Sequence, residues 1–175
     1  MSWIITHSGK KFDLFNPDPK TLDIEDIAHA LSNLCRFAGH TRTFYSVAQH
    51  CCECVQRAPI GTSHAILQDI LMHDASEAYI VDVPRPLKHL LPDYLEIESN
   101  LTNVIALRYD LLIPMPYIVK EIDNRMLFTE RRDLMPDVSH RWSNEVEPFE
   151  GQIMPMSPQD AKKRFLEMAK FLEIK

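Results

Sequence analysis

The stretch Thr62-Ser63-His64-Ala65-Ile66-Leu67-Gln68-Asp69-Ile70-Leu71-Met72-His73-Asp74-Ala75-Ser76-Glu77 decides how this chain is read. Ile66, Leu67, Ile70 and Leu71 recur at helical spacing, and Thr62 or Ser63 can accept a free N–H of the first turn. The pattern predicts a helix that runs directly into His73, Asp74 and Glu77, with Pro84 and Pro86 ending it. On such a helix His73 and Glu77, at i and i+4, project from one face, and Asp74 lies about 100° around it. One element would then carry an imidazole and two carboxylates at positions otherwise expected to face a core.

Working outward, the same periodicity recurs five more times. Ile24, Ile27, Ala28, Leu31, Leu34 and Cys35 form one apolar stripe, with Asp23 placed to cap it. Val47, Ala48, Cys51, Cys54 and Val55 form a second, which stops near Ala58-Pro59-Ile60-Gly61 and carries His50. Beyond the central stretch, Tyr94 to Arg108 and Ile118 to Leu127 continue the pattern, and a last helix starts at Ser157-Pro158. Trp3 to Leu14 reads instead as two short β-prone pieces around a Ser8-Gly9 turn. The expected fold is an all-α helical bundle with a small N-terminal β-hairpin, residues 1–175 forming one domain. Residues 137–155 show no period, and a loop of that length is expected to cover a site or meet another subunit.

The chain has 175 residues, 45% hydrophobic and 25% charged, which fits an ordinary globular domain. With only four glycines, widely spaced, neither a dinucleotide-binding nor a P-loop phosphate cradle can form. A net charge of −6, from 19 Lys and Arg against 25 Asp and Glu, argues against nucleic acid as a partner and leaves room for a small anionic ligand. No apolar run approaches membrane-spanning length and the N-terminus lacks a signal-like pattern, so no membrane partner and a cytoplasmic location are expected. Four cysteines, three of them crowded at Cys51, Cys52 and Cys54, suit a reducing compartment.

The chemistry resides in His50, His73-Asp74, Glu77 and Asp123, which fall on three predicted helices, His73, Asp74 and Glu77 sharing one. Buried without partners they would be costly, whereas two imidazoles and two carboxylates supply enough donors for one divalent cation with positions left open for water. Zinc, cobalt and manganese suit that donor set, and magnesium is also admitted. The cysteines beside His50 are read as core residues, since a thiolate zinc site would need a second cluster. Glu130, seven residues beyond Asp123 and on its face, is read as one end of an internal salt bridge.

These residues, in this order, resemble the HD-domain metal-dependent phosphohydrolases, whose pattern is a His, a later His-Asp pair and a distal Asp on different helices. The segment from His73 through Asp82 to Lys88 is similar to the signature of the branch that hydrolyses deoxynucleotides, which includes bacterial 5′-deoxynucleotidases and phage dATP triphosphohydrolases. Ser46 to His50 and Glu121-Ile122-Asp123 resemble that branch's first and last ligand segments, and the likeness runs over residues 23–135. It implies His50, His73, Asp74 and Asp123 as metal ligands, Glu77 as the catalytic carboxylate, and Asp82 as a contact to the sugar 3′-hydroxyl. Arg36-Phe37 resembles the branch's Arg-Trp pair, the Arg on phosphate and the aromatic against the sugar, with Phe here in place of Trp.

A phosphohydrolase also agrees with the chemistry of the residues: phosphoryl transfer asks a protein mainly for positioning and charge neutralisation. Glu77 either aligns the attacking water or protonates the leaving oxygen. Arg36, Arg42 and Lys88 are the basic side chains nearest the motifs and are assigned to phosphate, with Arg36 grouped with Glu77 and Asp74 in the catalytic set. Tyr79 and Trp142 are large enough to stack on a base, and Tyr79 is the one assigned to the pocket. The expected activity is hydrolysis of dATP to deoxyadenosine and triphosphate, with a deoxynucleoside 5′-monophosphatase as the alternative and a non-catalytic nucleotide-binding module as a third reading. The expected partners are a small-molecule deoxynucleotide and further copies of the chain.

Overall fold

The computed structural model of the protein describes residues 2–136, 139–140 and 142–175. The chain opens with a two-stranded antiparallel hairpin, β1 (Trp3–Ile5) and β2 (Lys11–Asp13), in register Trp3 to Asp13, Ile4 to Phe12 and Ile5 to Lys11. Its turn ends at Gly9, whose φ of +82° lies in the left-handed region that favours glycine. The helices follow as α1 (Ile24–Asn33), α2 (Val47–Gln56), α3 (His64–Met72), α4 (Glu77–Ile80), α5 (Arg85–Lys88), α6 (Pro92–Tyr109), α7 (Tyr117–Leu134) and α8 (Pro158–Phe171). The fold is all-α with a small N-terminal hairpin, as the periodicities predict.

The caps are those the sequence offers. Asp23 accepts from the Glu25 N–H at 2.9 Å, and Ser63 and Ser157 accept from Ile66 and Asp160 at the starts of α3 and α8. The hairpin is tied to α1 through Asp26, which accepts both the backbone N–H and the hydroxyl of Ser8 at 2.7 Å.

Helix α2 lies at the centre: α1 and α8 pack against it, and so do α3 and α7. Every residue from Val47 to Cys54 is buried, so only the last two residues of this helix, Val55 and Gln56, reach solvent. On one side Val47, Ala48 and Cys51 join Phe12, Leu31, Leu71, Leu101 and Phe165 in the main core. On the other, Cys54 joins Tyr45, Ile70, Ile122 and Met126 in a second cluster. A helix buried all round must satisfy its polar side chains internally, which makes Gln49, His50 and Glu53 informative. All four cysteines are free thiols.

One expected element is interrupted. The helix does not run through to Glu77: α3 ends at Met72 and the backbone tightens over His73 to Ser76 before α4 begins. The bonds there span three residues, with Ala75 donating to Met72 at 2.9 Å and Glu77 to Asp74 at 3.0 Å. His73 drives the break, because its Nδ1 takes the Ile70 carbonyl at 2.8 Å as the regular helix ends. In a three-residue turn, i and i+3 eclipse. Glu77 therefore aligns with Asp74 rather than with His73.

The described residues of the 137–155 segment are strapped along α7. Arg125 donates to the Glu147 and Pro148 carbonyls, Arg132 to Phe149, and Asp133 accepts from the Ile153 N–H at 2.8 Å. From α2, Gln49 bonds the backbone of Met154 and Met156, each at 2.8 Å. Asp137, at the segment's start, lies outside the described residues. No described helix is long and apolar enough to cross a membrane.

Candidate metal centre and its cavity

His50 from α2, His73 and Asp74 from the turn after α3, and Asp123 from α7 meet at one place. The His50 and His73 Nε2 atoms lie 3.2 Å apart. An Asp74 carboxylate oxygen is 3.5 Å from the first and 3.3 Å from the second, and an Asp123 oxygen 3.4 and 3.9 Å. Each ring's other nitrogen is engaged: His50 Nδ1 with the Glu130 carboxylate at 2.6 Å, and His73 Nδ1 with the Ile70 carbonyl. Since a carboxylate and a carbonyl can only accept there, each Nδ1 carries the hydrogen and each Nε2 of the neutral ring offers a lone pair inward.

Two lone pairs and two carboxylate oxygens facing one another need a cation or protons between them. Ligands about 2.1 Å from a common ion stand about 3.0–3.4 Å apart at ordinary coordination angles, which the inter-imidazole distance matches. The donor set therefore fits a divalent metal. Cys54 Sγ lies 3.7 Å from His50 Nε2, and the thiols of Cys51 and Cys54 stand close enough to the imidazoles to belong to metal-holding groups with them. The cysteines thus touch the cluster as well as the core, which their apolar periodicity did not reveal. Burial holds both thiols above their ordinary range, which disfavours thiolate beside the cluster.

Protons occupy the cluster in a patterned way. Burial and the Arg36 guanidinium oppose charge on His50, yet Glu130 and Asp123 outweigh them and raise its pKa. Burial likewise opposes His73, which Asp74 and Cys51 raise well above the imidazole range. Against the same burial, His73, His50 and Arg36 hold Asp74 far below the usual carboxylate range, and the two imidazoles hold Asp123 down at about 2. Glu77 behaves oppositely: burial first, then the neighbouring Asp74 and Asp82 charges, push it up to about 9. Its side chain is buried, with Oε2 lacking a hydrogen-bond partner among the described residues. A protonated carboxyl beside an ionised one is the division of labour expected of an acid next to a metal ligand.

Through Asp74 and Asp123 the cluster reaches the wall of a cavity of about 1060 Å³. Asp74, Glu77, Asp82 and Asp123 line it with Arg36, Arg85, Lys88 and Lys120, while Phe37, Phe128 and Trp142 supply an aromatic side. Trp142 sits 6.2 Å from the Phe37 ring and 6.0 Å from Phe128, with the Arg131 guanidinium over its indole. Ser143, Asn144 and Val146 also line the space, so the described part of the strap does border the site. Backbone strain gathers here too: Phe37 and Ala38, φ +54° and +49°, are non-glycine residues in the left-handed region that line the cavity. Each costs on the order of 1–3 kcal/mol, which the surrounding packing must sustain.

Several assignments change on meeting the structure. Tyr79 is buried in the core, its ring 4.0 Å from Phe12, and does not line the cavity. Arg42 is also absent from the cavity lining: its backbone N–H and guanidinium cap Leu134 and Met135, where the last carbonyls of α7 need donors. Arg36 and Phe37 do line the cavity, but the Arg36 guanidinium is already held by Glu130 at 3.1 Å and Asp74 at 3.4 Å. Lys88 pairs with Glu98 at 2.6 Å at the rim. Glu130 is the salt-bridge residue its spacing suggested and more, because one carboxylate both orients His50 and neutralises Arg36. Trp142, like Tyr79 large enough to stack on a base, does line the cavity, and Arg85, 3.5 Å from Asp123, was not assigned a role although it lies within the segment from His73 to Lys88.

No protein-family profile matches the chain. It is 34% identical over 125 residues to the uncharacterized protein RCAP_rcc00048 of Rhodobacter capsulatus, across 68% of this chain and 64% of that protein, so it spans less than two thirds of that relative's length. It is 45% identical over 174 residues to the uncharacterized protein YfdR of Escherichia coli K12, covering 95% of this chain and 93% of YfdR. At that identity and coverage, this chain belongs to the same family as YfdR.

Proposed function

We propose that the protein is a metal-dependent phosphohydrolase of the HD-domain kind acting on deoxynucleotides, with hydrolysis of dATP to deoxyadenosine and triphosphate as its reaction. The observation that carries this is the meeting of His50, His73, Asp74 and Asp123 within 3.2–3.9 Å, the two aspartates lining a cavity that Glu77 also lines. A divalent ion held by those four side chains would neutralise phosphate oxygens and acidify a water.

The chain's own residues account for the rest. Burial and the Asp74 and Asp82 charges raise the Glu77 carboxyl, which supports the acid role over the water-aligning one. As water attacks phosphorus and the bond from phosphorus to the 5′-oxygen breaks, the Glu77 proton passes to that leaving oxygen. Arg85, Lys88 and Lys120 give the cavity several cations besides Arg36, which suits a chain of phosphates better than one. Phe37, Phe128 and Trp142 offer flat apolar surface to sugar and base.

The test is a screen of deoxynucleoside mono- and triphosphates with zinc, cobalt, manganese and magnesium, separating orthophosphate from triphosphate. Triphosphate released from dATP is the expected product. Orthophosphate from monophosphates alone would move the reading to a 5′-nucleotidase, and release of neither product from any substrate would remove the enzyme altogether.

A further inference from the structure

A second cavity, of about 250 Å³, lies behind the candidate metal centre. It is bounded by the end of α3, by α6, and by the 111–115 segment that leads towards α7. Its walls are mainly apolar, with Met72, Ile105, Ala106, Leu111 and Met115 among them. Into this lining comes one acid, Asp69, only 3% exposed. Its Oδ1 accepts the Leu112 N–H at 3.1 Å, and its Oδ2 has no hydrogen-bond partner among the described residues. Among the described residues no Lys, Arg or His pairs with it. The one imidazole on the wall, His73, turns its Nδ1 to the Ile70 carbonyl and its Nε2 to the metal centre.

A buried carboxylate without a counter-charge is costly, and a core packed for stability alone would place an apolar residue there. The open oxygen, the adjoining space and the absence of an internal cation together describe half of an ion pair. The missing half must be small, since the space is below the roughly 300–1,000 Å³ that accommodates drug-sized molecules. It must also carry an apolar body to match the walls. We propose that this cavity is a binding site for a fragment-sized organic cation, a primary ammonium on a short apolar body, with the ammonium on Asp69 Oδ2 and the body between α6 and the 111–115 segment. Burial keeps the Asp69 carboxyl above its ordinary range, a shift that an ammonium beside it would oppose.

The site stands independently of the phosphohydrolase reading, because no metal and no substrate enters the argument. The probe is benzylammonium, with benzyl alcohol and phenylacetate as neutral and anionic counterparts, titrated into the full-length metal-free protein while side-chain NMR signals of Ile105, Leu111 and Met115 are followed. Saturable shifts at those residues are expected with benzylammonium, and weaker or no shifts with the two counterparts. Asp69→Asn keeps an acceptor for Leu112 and removes the charge, and should weaken benzylammonium at least about tenfold while leaving benzyl alcohol unchanged. Ala106→Leu, which fills the space and leaves Asp69 intact, should abolish shifts by both and guards against an Asp69 variant that fails to fold. Equal affinity for Asp69→Asn, shifts only at Trp142 and Phe128 in the larger cavity, or no saturable response would each overturn the proposal.

Discussion

At the scale of single residues, two carboxylates one short turn apart are held in opposite protonation states. Asp74 is ionised by its imidazole neighbours, and Glu77 is kept protonated by burial and by Asp74 itself. Asp74→Ala should therefore lose metal and turnover together, whereas Glu77→Gln should keep the metal and lose at least about a hundredfold in rate, the usual worth of a positioned acid. Metal content and initial rates of the two variants check this, and a near-wild-type rate for Glu77→Gln would refute its role. The metal-free protein should also respond to pH in a direction these groups fix. His73 has a folded pKa well above its ordinary 6.5, so its stabilisation is complete below about pH 6.5 and is lost as pH rises through the folded value. Glu77, about 9 when folded against 4.5 ordinarily, acts in the same sense between those values. Calorimetry on chelated protein should show the melting temperature falling from pH 6 to 9, and a rise over that interval would contradict the assignment. Most of these residues were legible in the chain: His50, the His73-Asp74 pair, Glu77 and Asp123 are polar groups placed where apolar ones belong, and the structure brings them together. Tyr79 and Arg42 were misplaced because an aromatic ring or a surface cation reads alike whether it meets a ligand, a core or a helix end.

At the scale of elements, Glu130 joins three of them. Its carboxylate takes His50 of α2 on one oxygen and Arg36, beyond the end of α1, on the other, from a position on α7 that is itself fully buried. Removing it would leave Arg36 and His50 short of a counter-charge inside the protein. Glu130→Ala should destabilise the fold by about 3–5 kcal/mol in denaturant unfolding. A loss below about 1 kcal/mol would show that the elements hold together without it. The helices and caps were readable because apolar period and capping chemistry agree at each start, as at Asp23, Ser63 and Ser157. The break after Met72 was not, because apolar spacing continues through it and only the His73 bond to its own helix end reveals the tightening. The strap was legible as a loop by its lack of period. Its attachment was not, since Arg125, Arg132 and Gln49 bond mostly to backbone carbonyls, which any sequence presents.

At the scale of the whole molecule, the fold places α2 at the centre, buries it on all sides, and uses α3 and α7 to bring the remaining donors to its His50. The main core around Phe165 and Leu31 supplies the rigidity, and the cavity opens where α4, α5, α7 and the strap leave one side of the cluster uncovered. The central claim is that this arrangement exists to hold one divalent ion on two imidazoles and two aspartates. Crystals grown with manganese and measured for anomalous scattering test it directly. The account predicts one strong peak per chain within coordination distance of His50 Nε2, His73 Nε2, Asp74 and Asp123, whereas no peak at that position, or a peak held by the sulfurs of Cys51 and Cys54 instead, would contradict it.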